Sequence, residues 1–222
     1  MANPAAVAAS TQALATMDPA LQLIVLMASL SLLPFVIVSM TSFLRYIVVL
    51  SILKTALGTQ QVPPAMVLVG MALIMTLYTM SPVFSEIYQT VTPLMQQNKT
   101  IVEVLTKGSE PLKQFMMRQT RETDVEVFVS MSRKKQPDSP EELGIWEVAP
   151  AFMLSELRTS FEIGFLIFIP FVVLDLVVAN ILLALGMMML SPTIISLPFK
   201  ILIFVAVDGW SLIVSGLVKS FN

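Results

Sequence analysis

The sequence predicts an all-α, membrane-type protein of two long helical hairpins with a polar, partly helical middle region. Three observations carry this. Of 222 residues, 56% are hydrophobic and 13% charged, against about 45–50% and about 25% in an ordinary soluble domain. Two stretches, Pro19 to Leu44 and Thr55 to Ser85, run 26 and 31 residues without a charge, and about 20 suffice to span hydrocarbon. The charges that do occur are concentrated: 9 of the 13 Lys/Arg and 11 of the 15 Asp/Glu lie between Glu86 and Arg158. The chain thus parses into an N-terminal arm (1–18), a first hairpin (19–88), a polar middle (89–149) and a second hairpin (150–222).

The N-terminal arm, Met1 to Asp18, is Ala-rich and has no Lys or Arg. No apolar region precedes Ala13-Leu14-Ala15, so the stretch does not read as a signal peptide. The first helix runs from Asp18-Pro19 to Leu57, with Pro19 suited to a first turn and Gly58 to the stop. Thr59 to Pro64 forms the turn, because tandem Pro cannot continue a helix. The second helix begins at Ala65 and ends near Thr90, with a kink expected at Pro82.

In the middle, Ser109-Glu110-Pro111 opens a helix, with a capping Ser, an acid in the first turn and an early Pro. Leu112, Phe115 and Met116 then share one face. Thr123-Asp124 caps a further turn carrying Val125, Phe128 and Val129; the stretch also alternates like a strand, and helix is favoured. Arg133-Lys134-Lys135 and the segment from Gln136 to Glu142 read as solvated loop.

The second hairpin, with spans expected over 161–185 and 194–216, is apolar yet charged: Glu156, Arg158, Glu162, Asp175, Lys200, Asp208 and Lys219 all follow Ser155. A mid-helix charge facing lipid costs roughly 2.5–3.5 kcal/mol on insertion scales. Asp175, Lys200 and Asp208 are therefore expected to face protein or water, while Lys219 can snorkel. With a hairpin apex near Met187-Met188, Asp175 and Lys200 lie equally far from it and can neutralise each other. Arg45 has no acid in its own block before Glu86, so its carboxylate must come from the second block or a neighbouring subunit; Glu162 and Asp208 are the candidates.

Between the last two helices the chain reads Leu185-Gly186-Met187-Met188-Met189-Leu190-Ser191-Pro192. Gly and Ser-Pro are breakers on both sides. Three consecutive Met in a turn are unexpected at a membrane surface, since flexible thioether chains repack around irregular contours. The turn is either a soft apolar plug, a contact for an adaptable partner, or a core-facing loop.

Composition excludes whole classes of function. Without Cys or His there is no disulfide scaffold, thiol nucleophile, imidazole base or common zinc site. A net charge of −2 offers no overall basic field for nucleic acid. No Gly-x4-Gly-Lys-Ser/Thr phosphate loop occurs. The hydroxyls of Ser29, Ser31, Ser39, Thr41 and Ser42 are of the kind that bond a helix backbone. Neither catalysis nor a cofactor is expected.

Several strings, in order, resemble the FliP/SctR family of type III secretion export apparatus proteins. They are Thr41-Ser42-Phe43-Leu44-Arg45, Leu57 to Pro64 and Met80-Ser81-Pro82-Val83 in the first half. In the second half they are Phe152 to Leu157, Phe161-Glu162-Ile163-Gly164-Phe165, Leu185 to Met189, Ser196 to Lys200 and Val207-Asp208-Gly209-Trp210. The string from Glu110 to Glu122 is similar to the flagellar branch, while Leu190-Ser191-Pro192 departs from the Val-Pro-Pro common there. The resemblance implies a core subunit of the export gate, one of a ring of five. It implies assembly with FliQ- and FliR-like partners into a helical oligomeric pore that works with an FlhB-like subunit on unfolded secretion substrates. By match, Met187, Met188 and Met189 are the gasket that closes the channel.

Resemblance also implies a bacterial inner membrane location. Lys54 weakly places the short turns inside, which puts the middle region on the periplasmic side. The alternatives are an injectisome homologue with the same role or, outside the family, a small-solute transporter with broken helices. A transporter predicts a monomer or dimer, and a purely structural membrane scaffold predicts that pore substitutions leave secretion untouched.

Overall fold

A computed structural model describes residues 33–59, 62–97, 101–131 and 143–221, together with 20, 23, 24, 27 and 31. The N-terminal arm, the helix start at Asp18-Pro19, Gln60-Gln61, the basic run at 133–135 and the loop 136–142 lie outside them. Among the described residues all regular structure is helical. In chain order the helices are α1 (Leu33–Met40), α2 (Phe43–Ala56), α3 (Ala65–Gln96), α4 (Ile101–Gly108), α5 (Glu110–Gln119), α6 (Glu122–Met131), α7 (Ile145–Ala184), α8 (Pro192–Ala206) and α9 (Gly209–Lys219).

Three boundaries differ from expectation. The first helix does not run unbroken to Leu57: it is interrupted at Thr41-Ser42, where the Thr41 hydroxyl turns back onto the Ile37 carbonyl at 2.5 Å. Hydroxyls bonded to the backbone four residues earlier bend helices. Second, α3 continues through both Pro82 and Pro93 to Gln96, beyond the expected end at Thr90. Third, the last expected span is two helices, α8 and α9, bent by 64° at a short break. A helix does open after Ser109, with Pro111 in the first turn of α5 and Phe115 and Met116 buried, but Ser109 makes no side-chain capping bond: its hydroxyl donates back to the Thr106 carbonyl at 2.9 Å. Residues 122–131 are helical, with Asp124 buried inside α6.

The chain divides into two compact units, residues 1–41 with 80–153 and residues 42–79 with 154–222. In the first, Met80, Val83, Phe115, Met116, Val148, Ala151 and Phe152 are buried. The Phe115 and Phe152 rings meet edge-on with centroids 6.0 Å apart, the arrangement the aromatic quadrupole favours. In the second, the core is Tyr46, Val49, Leu50 and Leu53 of α2, Ala72 and Met75 of α3, Phe171 of α7 and Phe204 of α8.

Among the described residues two helices, α3 and α7, are long and apolar enough to cross a membrane, or up to four spans if each bent pair, α1 with α2 and α8 with α9, counts as one. At 32 and 40 residues they are about 48 and 60 Å long at 1.5 Å per residue. Within the second unit, α2 and α7 lie side by side. Gly164 abuts Ile52: a Cβ there would run into the Ile52 side chain. Glycine lets the two backbones approach, as small residues do between membrane helices.

Gly164→Ala is therefore expected to destabilise the protein by about 1–3 kcal/mol. Adding Ile52→Ala should recover part of that loss, read as the unfolding midpoint of the purified protein in detergent.

Candidate functional site

The most polar interactions of the second unit hold α2 near its two ends. Near its start, Arg45 is 3% exposed, and Glu156 of α7 is fully buried. The guanidinium donates through Nε to Glu156 Oε2 at 2.8 Å and through Nη2 to Oε1 at 2.5 Å. This two-pronged pairing matches the planar fork of Arg to a carboxylate. Nη1 donates to the Ser220 carbonyl at 2.8 Å and to Ser220 Oγ at 2.9 Å. The Phe221 ring covers the guanidinium face, 3.7 Å from Cζ to the centroid, and meets the Tyr46 ring edge-on at 5.4 Å. Tyr46 Oη lies 2.5 Å from Thr79 Oγ1.

The sequence leads one to expect Glu162 or Asp208 opposite Arg45; the carboxylate that takes the fork is Glu156. Helical phase explains the difference. Phe152, Glu156 and Ser160 follow at intervals of four, and all three are fully buried. Glu162 is six residues past Glu156, about 240° further round, and it is exposed. Asp208 stands at the break between α8 and α9 with φ 52°, is exposed, and makes no side-chain capping bond. The signal for Glu156 was the spacing of four from Phe152 to Ser160, in the helix row that also carries a small hydroxyl.

At the other end of α2, Lys200 of α8 is 3% exposed. Its ammonium donates to Asp175 Oδ2 at 2.7 Å and to the carbonyl of Ala56, the last residue of α2, at 3.2 Å. Ser196 Oγ donates to the other Asp175 oxygen at 2.5 Å. The structure thus brings Asp175 and Lys200 together and adds two partners that the sequence did not indicate. A cation is favourable here, because the final carbonyls of a helix have no partner inside it and carry partial negative charge. Gly58, with φ +74°, ends α2 in the left-handed conformation. Its absent Cβ would lie 3.6 Å from Leu197 and 3.8 Å from Lys200 Nζ.

The methionine turn follows from the way α7 ends. Gly186 has φ +72°. Its N–H donates to the Leu183 carbonyl at 3.0 Å, and the Met187 N–H donates to that of Leu182 at 2.9 Å. These are the paired 5→2 and 6→1 bonds of a Schellman stop. With the helix closed, Met187, Met188 and Met189 are 47%, 79% and 101% exposed before α8 starts at Pro192.

Apolar helices joined through buried ion pairs define the class: a helical membrane protein. The chain matches the family model described as "FliP family" over residues 26–217. It is 47% identical over 201 residues to the flagellar biosynthetic protein FliP of Bacillus subtilis (strain 168), covering 90% of this chain and 91% of that protein. The corresponding protein of Pectobacterium carotovorum subsp. carotovorum is 47% identical over 201 residues, covering 90% and 78%. That of Caulobacter vibrioides is 48% identical over 202 residues, covering 90% and 76%. The chain belongs to the FliP family, in its flagellar type. It is a structural component of the flagellar export apparatus and not an enzyme.

Removing one partner of a buried pair leaves an uncompensated charge, so Glu156→Gln should lower stability by about 3–5 kcal/mol. Replacing both residues together, Arg45→Met with Glu156→Leu, should recover most of it. Asp208→Asn, at an exposed position, should shift stability by less than about 0.5 kcal/mol. Denaturant titration in detergent separates these outcomes.

Proposed function

We propose that this protein is a core subunit of the flagellar export gate, and that its methionine turn is the gasket of the channel. The observation that carries this reading is the turn itself. Three consecutive Met side chains stand exposed on a tightly stopped loop between two apolar helices. Unbranched thioether chains change rotamer easily and fill irregular gaps. A ring of such turns closes on itself when empty and moulds around whatever unfolded chain passes, limiting ion leak without chemistry. Met187, Met188 and Met189 are the gasket residues, and the drive for transport comes from other subunits.

The apolar surface supports an assembled state. In the most apolar stretch of α7 only 17% of residues are buried within the chain. Phe161, Phe165, Leu166, Leu176 and Ile181 are all more than half exposed. Lipid accounts for part of such a surface and partner helices for the rest. In this reading five copies form a ring that joins FliQ- and FliR-like subunits into the pore and works with an FlhB-like subunit. Residues 19–88 and 150–222 act as the two hairpins of the bacterial inner-membrane assembly, and residues 89–149 lie on the periplasmic side. Arg45, Glu162, Asp175, Lys200 and Asp208 serve as pairing charges between helices or subunits.

Replacing Met187, Met188 and Met189 together with Ala is expected to raise ion leakage through the assembled gate several-fold. Unchanged leakage with unchanged secretion would sink the gasket role. The native mass of the purified assembly checks the ring, since a mass corresponding to one or two copies favours a transporter.

A further inference from the structure

We propose that α9 is a hinged arm, held down by a releasable clasp that Ser220 and Phe221, just past its end, form on the Arg45–Glu156 pair. The inference rests on how Arg45 divides its N–H groups between Glu156 and Ser220. Glu156 takes Nε and Nη2 and supplies a full opposite charge. Ser220 takes Nη1 twice, through its carbonyl and its hydroxyl, and Phe221 covers the guanidinium face. Lifting Ser220 and Phe221 therefore leaves the ion pair intact and no uncompensated charge behind. Breaking the Glu156 side would strand a buried ion. The clasp is thus the separable half of the cluster.

The other end of the arm has the form of a hinge. The turn between α8 and α9 holds Asp208 in the left-handed conformation, φ 52° and ψ 51°, with no side-chain cap bond. Asp is one of the few non-glycine residues that adopt that region, as a single residue at a break and not within a helix. Gly209 follows directly and is buried; a Cβ on it would run into the Phe204 ring. Phe204 in turn meets Trp210 edge-on at 5.3 Å. The arm between these points, Gly209–Lys219, presents one buried side chain, Leu217, while most of its residues are exposed. An element fastened at two ends and lightly packed between them opens as a unit, below the free energy of global unfolding.

Hydrogen exchange of the purified protein in detergent tests this. In the wild-type protein the amides of 210–221 should exchange as one group, faster than those of α2 and of residues 154–171 in α7. Phe221→Ala should speed exchange of 210–221 by tenfold or more and leave the other two segments unchanged. Phe221→Tyr should restore protection, and Ser220→Ala, which removes only the hydroxyl bond, should produce a smaller rise confined to the same segment. Equal acceleration in all three segments, or none in 210–221 for either Phe221→Ala or Ser220→Ala, would overturn the proposal. Gly209→Ala gives an independent reading: a fluorescence change at Trp210, measured in a Trp146→Phe background, is expected as the Phe204 ring is displaced, and an unchanged spectrum counts against the hinge.

Discussion

A guanidinium that has lost its water must be given a carboxylate, and this requirement organises the second unit. Arg45 is 3% exposed in a segment with no acid of its own, and leaving such an ion unpaired in an apolar interior is prohibitive. Glu156 meets the need from α7, more than a hundred residues away in the chain. Because the fork of Arg is planar and rigid, the pair fixes orientation as well as proximity. The order of contacts along α2 and α7 follows from it. Arg45 meets Glu156 and Ile52 meets Gly164, so seven residues along α2 correspond to eight along α7. The two helices therefore run in the same direction, side by side.

The second ion pair completes the hold on α2. Lys200 reaches the final carbonyl of the helix and Asp175 together, so one ammonium satisfies an unpaired backbone acceptor and a carboxylate. Both acids come from α7, which thus supplies the negative partner at each end of α2 and, between them, the glycine that lets the backbones close. What such a pair restricts is the register in which α2 and α7 meet. A hydrophobic replacement of similar volume is often as stable, yet it would accept many registers where a bidentate pair accepts one.

What remains outside these contacts is apolar and uncovered. An open groove of about 540 Å³ runs between α2 and α7, bordered by Ile47, Ser51, Phe161 and Phe165. The Met turn stands at the end of α7 with its three side chains exposed. In a membrane protein the interior contacts between helices carry the geometry, and the lipid- and partner-facing surface is free to stay apolar. Here the paired charges of Arg45, Glu156 and Lys200 are turned inward beside the apolar core, and a further set of large hydrophobic side chains is turned outward.

The all-α membrane class was legible in the sequence, because it follows from counts: long uncharged runs can only be helices or buried segments in lipid. So was the methionine turn, since Gly186 and Pro192 are local signals whose conformations, a left-handed stop and a helix start, depend on a few neighbours. That Asp175 and Lys200 lie at matching distances from the turn could be counted from the chain alone. Which acid serves Arg45 could not, because the answer depends on the rotational phase of a 40-residue helix and on which face packs inward. The contact of Ser220 and Phe221 with Arg45 spans 175 positions, and no local pattern announces it. The break at Thr41-Ser42 was hidden for a different reason: it interrupts an apolar stretch whose composition suits an unbroken helix. Local chemistry determined where the elements are and what solvent they suit. Only the tertiary structure decided which acid meets Arg45, because that pairing depends on which face of α7 packs inward and not on symmetric spacing about a turn.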